Sequence, residues 1–449
     1  MTRFAIVAFI PLAGLVLGRI AWGADEPTDY DRQVQRSKHV TNESAAQLAD
    51  ALRRADEAAI RRIAHETQQR LGDLAGLPEV ADSYVVPPAD VPPLSRHEAE
   101  AGFERLLRYV QRKKWWKIGL DPAATEHLPR EVAAVVVACT AGVRADVAVR
   151  ESLLREAREA ADFLIWCQQQ GGVGVYPFPT FKGGRGAAFA AADRFLERAA
   201  RAGLLSRVVR NGWAVDDLAD GGLQFDNGLC GAAMFELYAV TRDERYLRSA
   251  RSAADWAVDR TLVPNWNYNS FSVYLLAHAY RATDDRKYLD AAKRKTLLGV
   301  VPGQLTFGPL RGRWADAHNA RPAYHYIMIR GLVALLGVLP ADDPDRPAIV
   351  ESVRAALTTR NSEFTARGIM NVDSSLEALL LVESAPQSVR AELAGCRTEE
   401  ALAVIERRAA DELRNDQGPA GPGVIGRLFE HAVRRGMAEA GSAAEPRPR

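Results

Sequence analysis

The decapeptides YAVTRDERYL (Tyr238–Leu247) and YRATDDRKYL (Tyr280–Leu289) align without a gap at an offset of 42 residues. The same offset lays Asn227 on Asn269, and each asparagine opens an apolar helical run. A repeat of this length is one helical hairpin, which buries its apolar face only by stacking on its neighbours. Stacking in register also brings the polar residues at the starts of matching helices to one rim. That rim is where chemistry is expected.

Working outward, helical segments are expected at 132–143, 147–169 and 186–202. Clear pairs follow: 227–240 with 243–259, 268–282 with 285–299, 322–338 with 346–359, and 373–382 with a weaker helix after Pro386. The first member of each pair is apolar on almost every side, the mark of a buried helix. The second is amphipathic and Arg-rich, so one of its faces meets water. An inner ring of helices wrapped by an outer ring satisfies both patterns. Residues 171–226 interrupt the rhythm as a long insertion. Ahead of the repeats, Leu48, Leu52, Ile60, Ile63 and Leu71 recur near helical spacing, which predicts one helix over 41–72 started by Thr41 or Asn42. The Pro-rich stretch 86–94 reads as a stiff extended linker.

This pattern resembles the (α/α) toroid of the six-hairpin glycosidase class, in which inner helices alternate with outer ones. The turn T-x-D-x-x-Y-L-x-x-A, at Thr241–Ala250 and again at Thr283–Ala292, is similar to the hairpin turn of those enzymes. Polysaccharide lyases and sugar epimerases share that turn. The resemblance covers residues 97–415 and implies an all-α toroid of about six helical hairpins. It carries no catalytic motif residue by residue. The expected organisation is a signal peptide at 1–24, an N-terminal helix and Pro-rich linker at 25–96, the toroid at 97–415, and a C-terminal helix with a disordered tail at 416–449. An open α-solenoid used for binding is the blander architecture. The long Asn-, His-, Asp- and Trp-rich connections before the inner helices favour the toroid, because long loops on a rigid scaffold carry function.

The net charge of +1 over 449 residues offers no electrostatic footprint for nucleic acid. Arg3, an uncharged run from Phe4 to Gly18 and the small residues at Ala21–Ala24 form a secretory signal. With the run only 15 residues long and broken by Pro11, no stable membrane span is expected after cleavage, and the location is secreted or periplasmic. Exported cysteines could pair in three ways, but Cys139 and Cys230 lie within apolar helical runs. Buried free thiols are therefore expected for Cys139, Cys167, Cys230 and Cys396.

Four loop-to-helix junctions carry the residues suited to sugar chemistry. They are GGLQFDNG with Asp226 and Asn227, NWNYNSFS with Trp266, Asn267, Tyr268 and Asn269, RWADAHNARPAYHY with Trp314, Asp316, His318, Asn319, Arg321, Tyr324 and His325, and IMNVDSS with Asp373. Glycoside hydrolysis needs two carboxyl groups, one to protonate the leaving oxygen and one to activate water or attack the sugar. Asp226, with Asp316 or Asp373, fits that need. Trp266, Tyr268, Trp314 and Tyr324 would stack on sugar rings, while Asn227, Asn267, Asn269, Asn319 and Arg321 would hold hydroxyls. Asn227, Asn269 and Asp373 also sit where helix N-caps belong. Proton abstraction beside a uronate carboxylate, the lyase alternative, would use His318, Asn319, Arg321, Tyr324 and His325. No cofactor and no metal are expected. His318 and His325 are seven positions apart without a fixed acidic partner, and DDLADGG lacks the EF-hand pattern. The expected partner is an oligo- or polysaccharide, acted on by a hydrolase or, alternatively, a lyase.

Overall fold

The computed structural model describes residues 29–72, 90–92, 94–113, 128–145, 150–180, 187–308, 310–315, 319, 322–368, 372–414 and 422–444. The expected signal peptide and most of the Pro-rich linker fall outside these residues.

The repeated decapeptide builds the same turn twice. Helix α8 (Gly222–Thr241) ends on Arg242 in the left-handed region, and α9 (Glu244–Asp259) starts on the cap Asp243, whose carboxylate accepts from the Arg245 amide at 2.9 Å. Helix α10 (Trp266–Thr283) ends on left-handed Asp284, and α11 (Arg286–Gly299) starts on Asp285, which accepts from the Lys287 amide at 3.2 Å. Thr241 and Thr283 each donate back to the carbonyl four residues earlier and accept from the cap residue's amide. Tyr246 and Tyr288 are then buried beneath the turns. A local set of caps and one buried ring thus reverses the chain without glycine.

The remaining helices are α1 (Asp29–Arg54), α2 (Glu57–Leu71), α3 (Arg96–Lys113), α4 (Pro129–Arg144), α5 (Arg150–Gly171), α6 (Ala187–Arg201), α7 (Leu205–Val208), α12 (Pro322–Leu336), α13 (Arg346–Arg367), α14 (Val372–Glu383), α15 (Gln387–Glu392), α16 (Thr398–Arg414) and α17 (Pro422–Ala444). Among the described residues, α4, α8, α10, α12, α14 and α17 pack in that order, and α17 returns to α4. The ring is closed. Each inner helix has an outer partner: α5, α9, α11, α13, α16 and, for α17, the N-terminal α3. Phe103 of α3 stacks on Phe429 of α17 with ring centres 4.8 Å apart. The outer helices present small buried faces, as in Tyr246, Ala250, Ala253, Ala254 and Ala257 of α9, a helical stripe that lets the two layers approach closely.

The inner helices run parallel. Arg130 at the start of α4 meets Asp226 at the start of α8, and Arg144 at the end of α4 meets Glu236 late in α8. Gly228 and Gly231 of α8 face Phe271 and Leu275 of α10 in ascending order, and Gly423 and Gly426 of α17 face Ala134 and Ala138 of α4. Glycine is required where backbones touch: a Cβ on Gly228 would lie 2.7 Å from the Phe271 carbonyl oxygen. Parallel inner helices place every loop that precedes one at the same end of the ring.

Three features depart from the sequence reading. The helix expected over 41–72 is two helices, α1 and α2, because Ala55 turns left-handed and Asp56 caps α2 through the Ala59 amide at 3.0 Å. Helix α17, placed outside the toroid by the 415 boundary, forms its closing inner member. The insertion holds a small antiparallel sheet of β1 (Phe178–Pro179), β2 (Val209–Arg210) and β3 (Trp213–Ala214), with β3 central and Phe178 opposite Ala214. The α1–α2 hairpin docks at the loop end of the ring. Gln68 donates to the carbonyls of Pro302 and Gln304, both at 3.2 Å, and Leu71 packs with Leu305 and Ala315. All four cysteines are buried and free. No described helix is long and apolar enough to cross a membrane.

Candidate functional site

An axial cleft runs down the ring, with about 900 Å³ of space counted out to bulk solvent. Every inner helix contributes to its wall, from Arg130 and Phe225 through Phe271, Ile327 and Leu376 to Gly423 and Val424. Below this mostly apolar middle lie Glu236, Tyr274, Arg330, Glu377 and Arg427.

At the loop end, Arg130 donates to Asp226 Oδ2 at 3.4 Å and lays its guanidinium 4.2 Å from the centre of the Phe225 ring. Asp226 is buried beside this pair, 2% exposed, and its Oδ1 has no hydrogen-bond partner. Burial pushes its carboxyl above the usual range, opposed by Arg130 and reinforced by Glu131. Tyr268, on the next inner helix, lies within electrostatic reach of Asp220, Tyr324, Arg130 and Asp226, and burial raises its phenol. Asp220 is exposed at this rim, with its carboxyl also raised by the surrounding protein and by Asp217. The loop end thus brings Asp226, Tyr268 and Tyr324, three of the residues expected from sequence, together with Asp220 and with Arg130 and Phe225 of the cleft wall.

Polar atoms without partners concentrate here. Gln224 Nε2, Asp226 Oδ1, Asn265 Oδ1 and Asn267 Oδ1 are all buried and unsatisfied, and all lie in or beside the first turns of α8 and α10. Buried polar groups are normally bonded, so a group of unpaired ones marks a place where water or ligand belongs. Asn267 also donates to Asn319 Oδ1 at 3.1 Å through its side chain, which ties the third junction to the second.

Other expected site residues are structural. Asn227 is fully committed: its Oδ1 accepts from the Tyr176 amide at 3.1 Å and its Nδ2 donates to the Ala253 carbonyl at 2.9 Å. Asn269 does the same work one repeat later, accepting from the Val263 amide and donating to the Val263 and Gly299 carbonyls. Neither is an N-cap, and in both the side-chain oxygen and nitrogen are bonded to backbone. Trp266 is buried against Gly303, and Trp314 is buried with Nε1 donating to the Val300 carbonyl at 2.9 Å. Neither offers a face for stacking. His325 is buried edge-on to Trp314, with ring centres 4.9 Å apart, between α12 and α13. Burial, Arg360 and Arg313 hold its pKa well below the ordinary value, and it faces away from the cleft lined by Ile327 and Arg330. Asp316, His318 and Arg321 lie outside the described residues. Asp373 falls in the first turn of α14, with its side chain outside them.

Sequence reasoning missed the axial charges. Arg427 Nη2 donates at 2.8 Å to Glu236 and at 2.8 Å to Glu377, so the closing helix grips two carboxylates on opposite arcs of the ring. Arg427 and Arg144 hold Glu236 down to about 2 against its burial. The acidic run DDLADGG forms a turn: Asp217 accepts from the Leu223 amide at 3.0 Å and pairs with Arg260.

No family profile matches the chain, and no curated protein matches it by sequence. Among solved structures it is similar to a polysaccharide lyase, at 11% identity and a TM-score of 0.44 over 76% of this chain and 98% of the other. It is also similar to a glycosyl hydrolase of family 88 from Bacteroides vulgatus, at 11% identity and a TM-score of 0.46 over 76% of this chain and 99% of the other. By its own packing, the protein is an all-α toroid of paired inner and outer helices.

Proposed function

We propose that the protein is an exported carbohydrate-active enzyme, a glycoside hydrolase that works at the loop end of the toroid. The observation that carries this reading is Asp226: a buried carboxyl, raised by its surroundings, with one oxygen unpaired and the other on Arg130 of the cleft wall. Burial that raises a carboxyl favours its protonated form, the form a general acid uses. In this reading Asp226 gives its proton to the glycosidic oxygen as the bond to the anomeric carbon breaks. Arg130 stabilises the carboxylate left behind. A second carboxylate activates water or attacks the sugar, and Asp220 shares Tyr268 with Asp226 at the rim. Asp316 and Asp373, from the neighbouring junctions, are the further candidates for that role. Tyr268 and Tyr324 supply ring faces for stacking.

The closed ring supports a cleft enzyme over an open binding solenoid. His325, one of the residues expected to serve a lyase, is buried and faces away from the cleft. A screen of neutral and acidic polysaccharides tests the reading. Hydrolysis releases new reducing ends without new absorbance. Elimination leaves a conjugated double bond absorbing near ~235 nm, since proton abstraction creates unsaturation, and that product would replace this reading with the lyase.

A further inference from the structure

The inner end of the axial cleft has a cation with unused donors. Arg330 lines the cleft on α12 and is 5% exposed. Its Nη1 donates to Glu377, but its Nε and Nη2 are buried without partners. The rings beside it take its flat face, at 4.5 Å from the Tyr274 centre and 5.3 Å from the Phe271 centre, which leaves the N–H edge unspent. The two glutamates of the cleft are already occupied. Glu377 receives Arg330, Arg427 and Tyr274, and Glu236 receives Arg427, Arg144 and Thr140. Arg130, the third arginine of the wall, is paired with Asp226.

We propose that the free edge of Arg330 binds a carboxylate anion within the axial cleft. A guanidinium edge with two adjacent N–H groups matches the two oxygens of a carboxylate in a planar fork. The apolar wall formed by Ala133, Ala134, Leu229 and Ile327 excludes water above it and strengthens that pairing. This site is separate from the Asp226 mouth and does not rest on the hydrolase reading.

Isothermal titration of the full chain at constant ionic strength tests the proposal, with sodium acetate, sodium glucuronate, glucose and sodium chloride as probes. The site predicts saturable binding of acetate or glucuronate and none of glucose. Tighter binding of glucuronate assigns the carboxylate to a sugar, and equal binding assigns it to a small free acid. Arg330→Gln is expected to weaken carboxylate binding at least tenfold. Should that variant fail to fold, Ile327→Trp, on the half-buried cleft wall one turn from Arg330, narrows the cleft without removing a member of an ion pair, and it is expected to weaken carboxylate binding at least tenfold. Failure of both carboxylates to bind the wild type, binding of chloride in their place, or undiminished carboxylate binding in a folded Arg330→Gln or Ile327→Trp variant would overturn it.

Discussion

Gly426 of α17 sits so close to Ala138 of α4 that a Cβ at 426 would lie 2.5 Å from the Ala138 Cα. This contact seals the ring, and it joins the last inner helix to the first. Replacing Gly426 by leucine gains about 1 kcal/mol of helix propensity. The clash is with backbone, which has no easy retreat, and overpacking costs about 3 kcal/mol. The clash wins. Urea unfolding of Gly426→Leu should show a net loss of about 2 kcal/mol, and an unchanged midpoint would mean that α17 does not close the ring.

The paired asparagines make a matched prediction. Asn227→Ala strands the Tyr176 amide and takes a second donor from the Ala253 carbonyl, and Asn269→Ala strands the Val263 amide and removes a donor from two carbonyls. Each buried orphan costs about 1–3 kcal/mol. In denaturant titrations Asn227→Ala should lose about 1–3 kcal/mol for its one stranded amide, and Asn269→Ala should lose more. Equal stability to wild type would return these residues to the list of sugar ligands.

Alkaline pH should loosen the closing helix. His431 of α17 bridges Glu383 and Glu406, which raise its pKa to about 9 despite burial. Arg435 shares Glu406. The folded value lies above the unfolded 6.5, so the charged imidazole stabilises the fold fully below that pH. The contribution is lost as pH rises through about 9. Comparing unfolding free energies at the two ends of that window, wild type should lose more stability than His431→Gln. Parallel losses in the two proteins would remove His431 from the closure.

What the sequence disclosed follows from where its signals are local. The hairpin turns were legible because a threonine, a capping aspartate and a buried tyrosine lie within ten positions, at Tyr238–Leu247 and Tyr280–Leu289. The break between α1 and α2 had such a signal in Asp56 before Glu57, but it is masked by the hydrophobic spacing that continues across it. The role of α17 was hidden, since Gly426 and Arg427 act only on helices distant in the chain. Glu236, Arg330 and Glu377 sit inside helices, and periodicity alone does not say which face meets an axis. Trp314 and His325 looked like residues of a loop-to-helix junction free for substrate, yet the fold turns both inward against one another.

Asp226→Asn is the most direct test of the account. The exchange keeps the shape of a buried side chain and removes the proton that hydrolysis needs. On whichever polysaccharide the wild type cleaves, turnover should fall about 10³-fold, the scale of a lost general acid. The melting temperature should hold or rise, because burial already disfavours the ionised carboxyl. Full turnover by a folded Asp226→Asn protein would contradict the assignment.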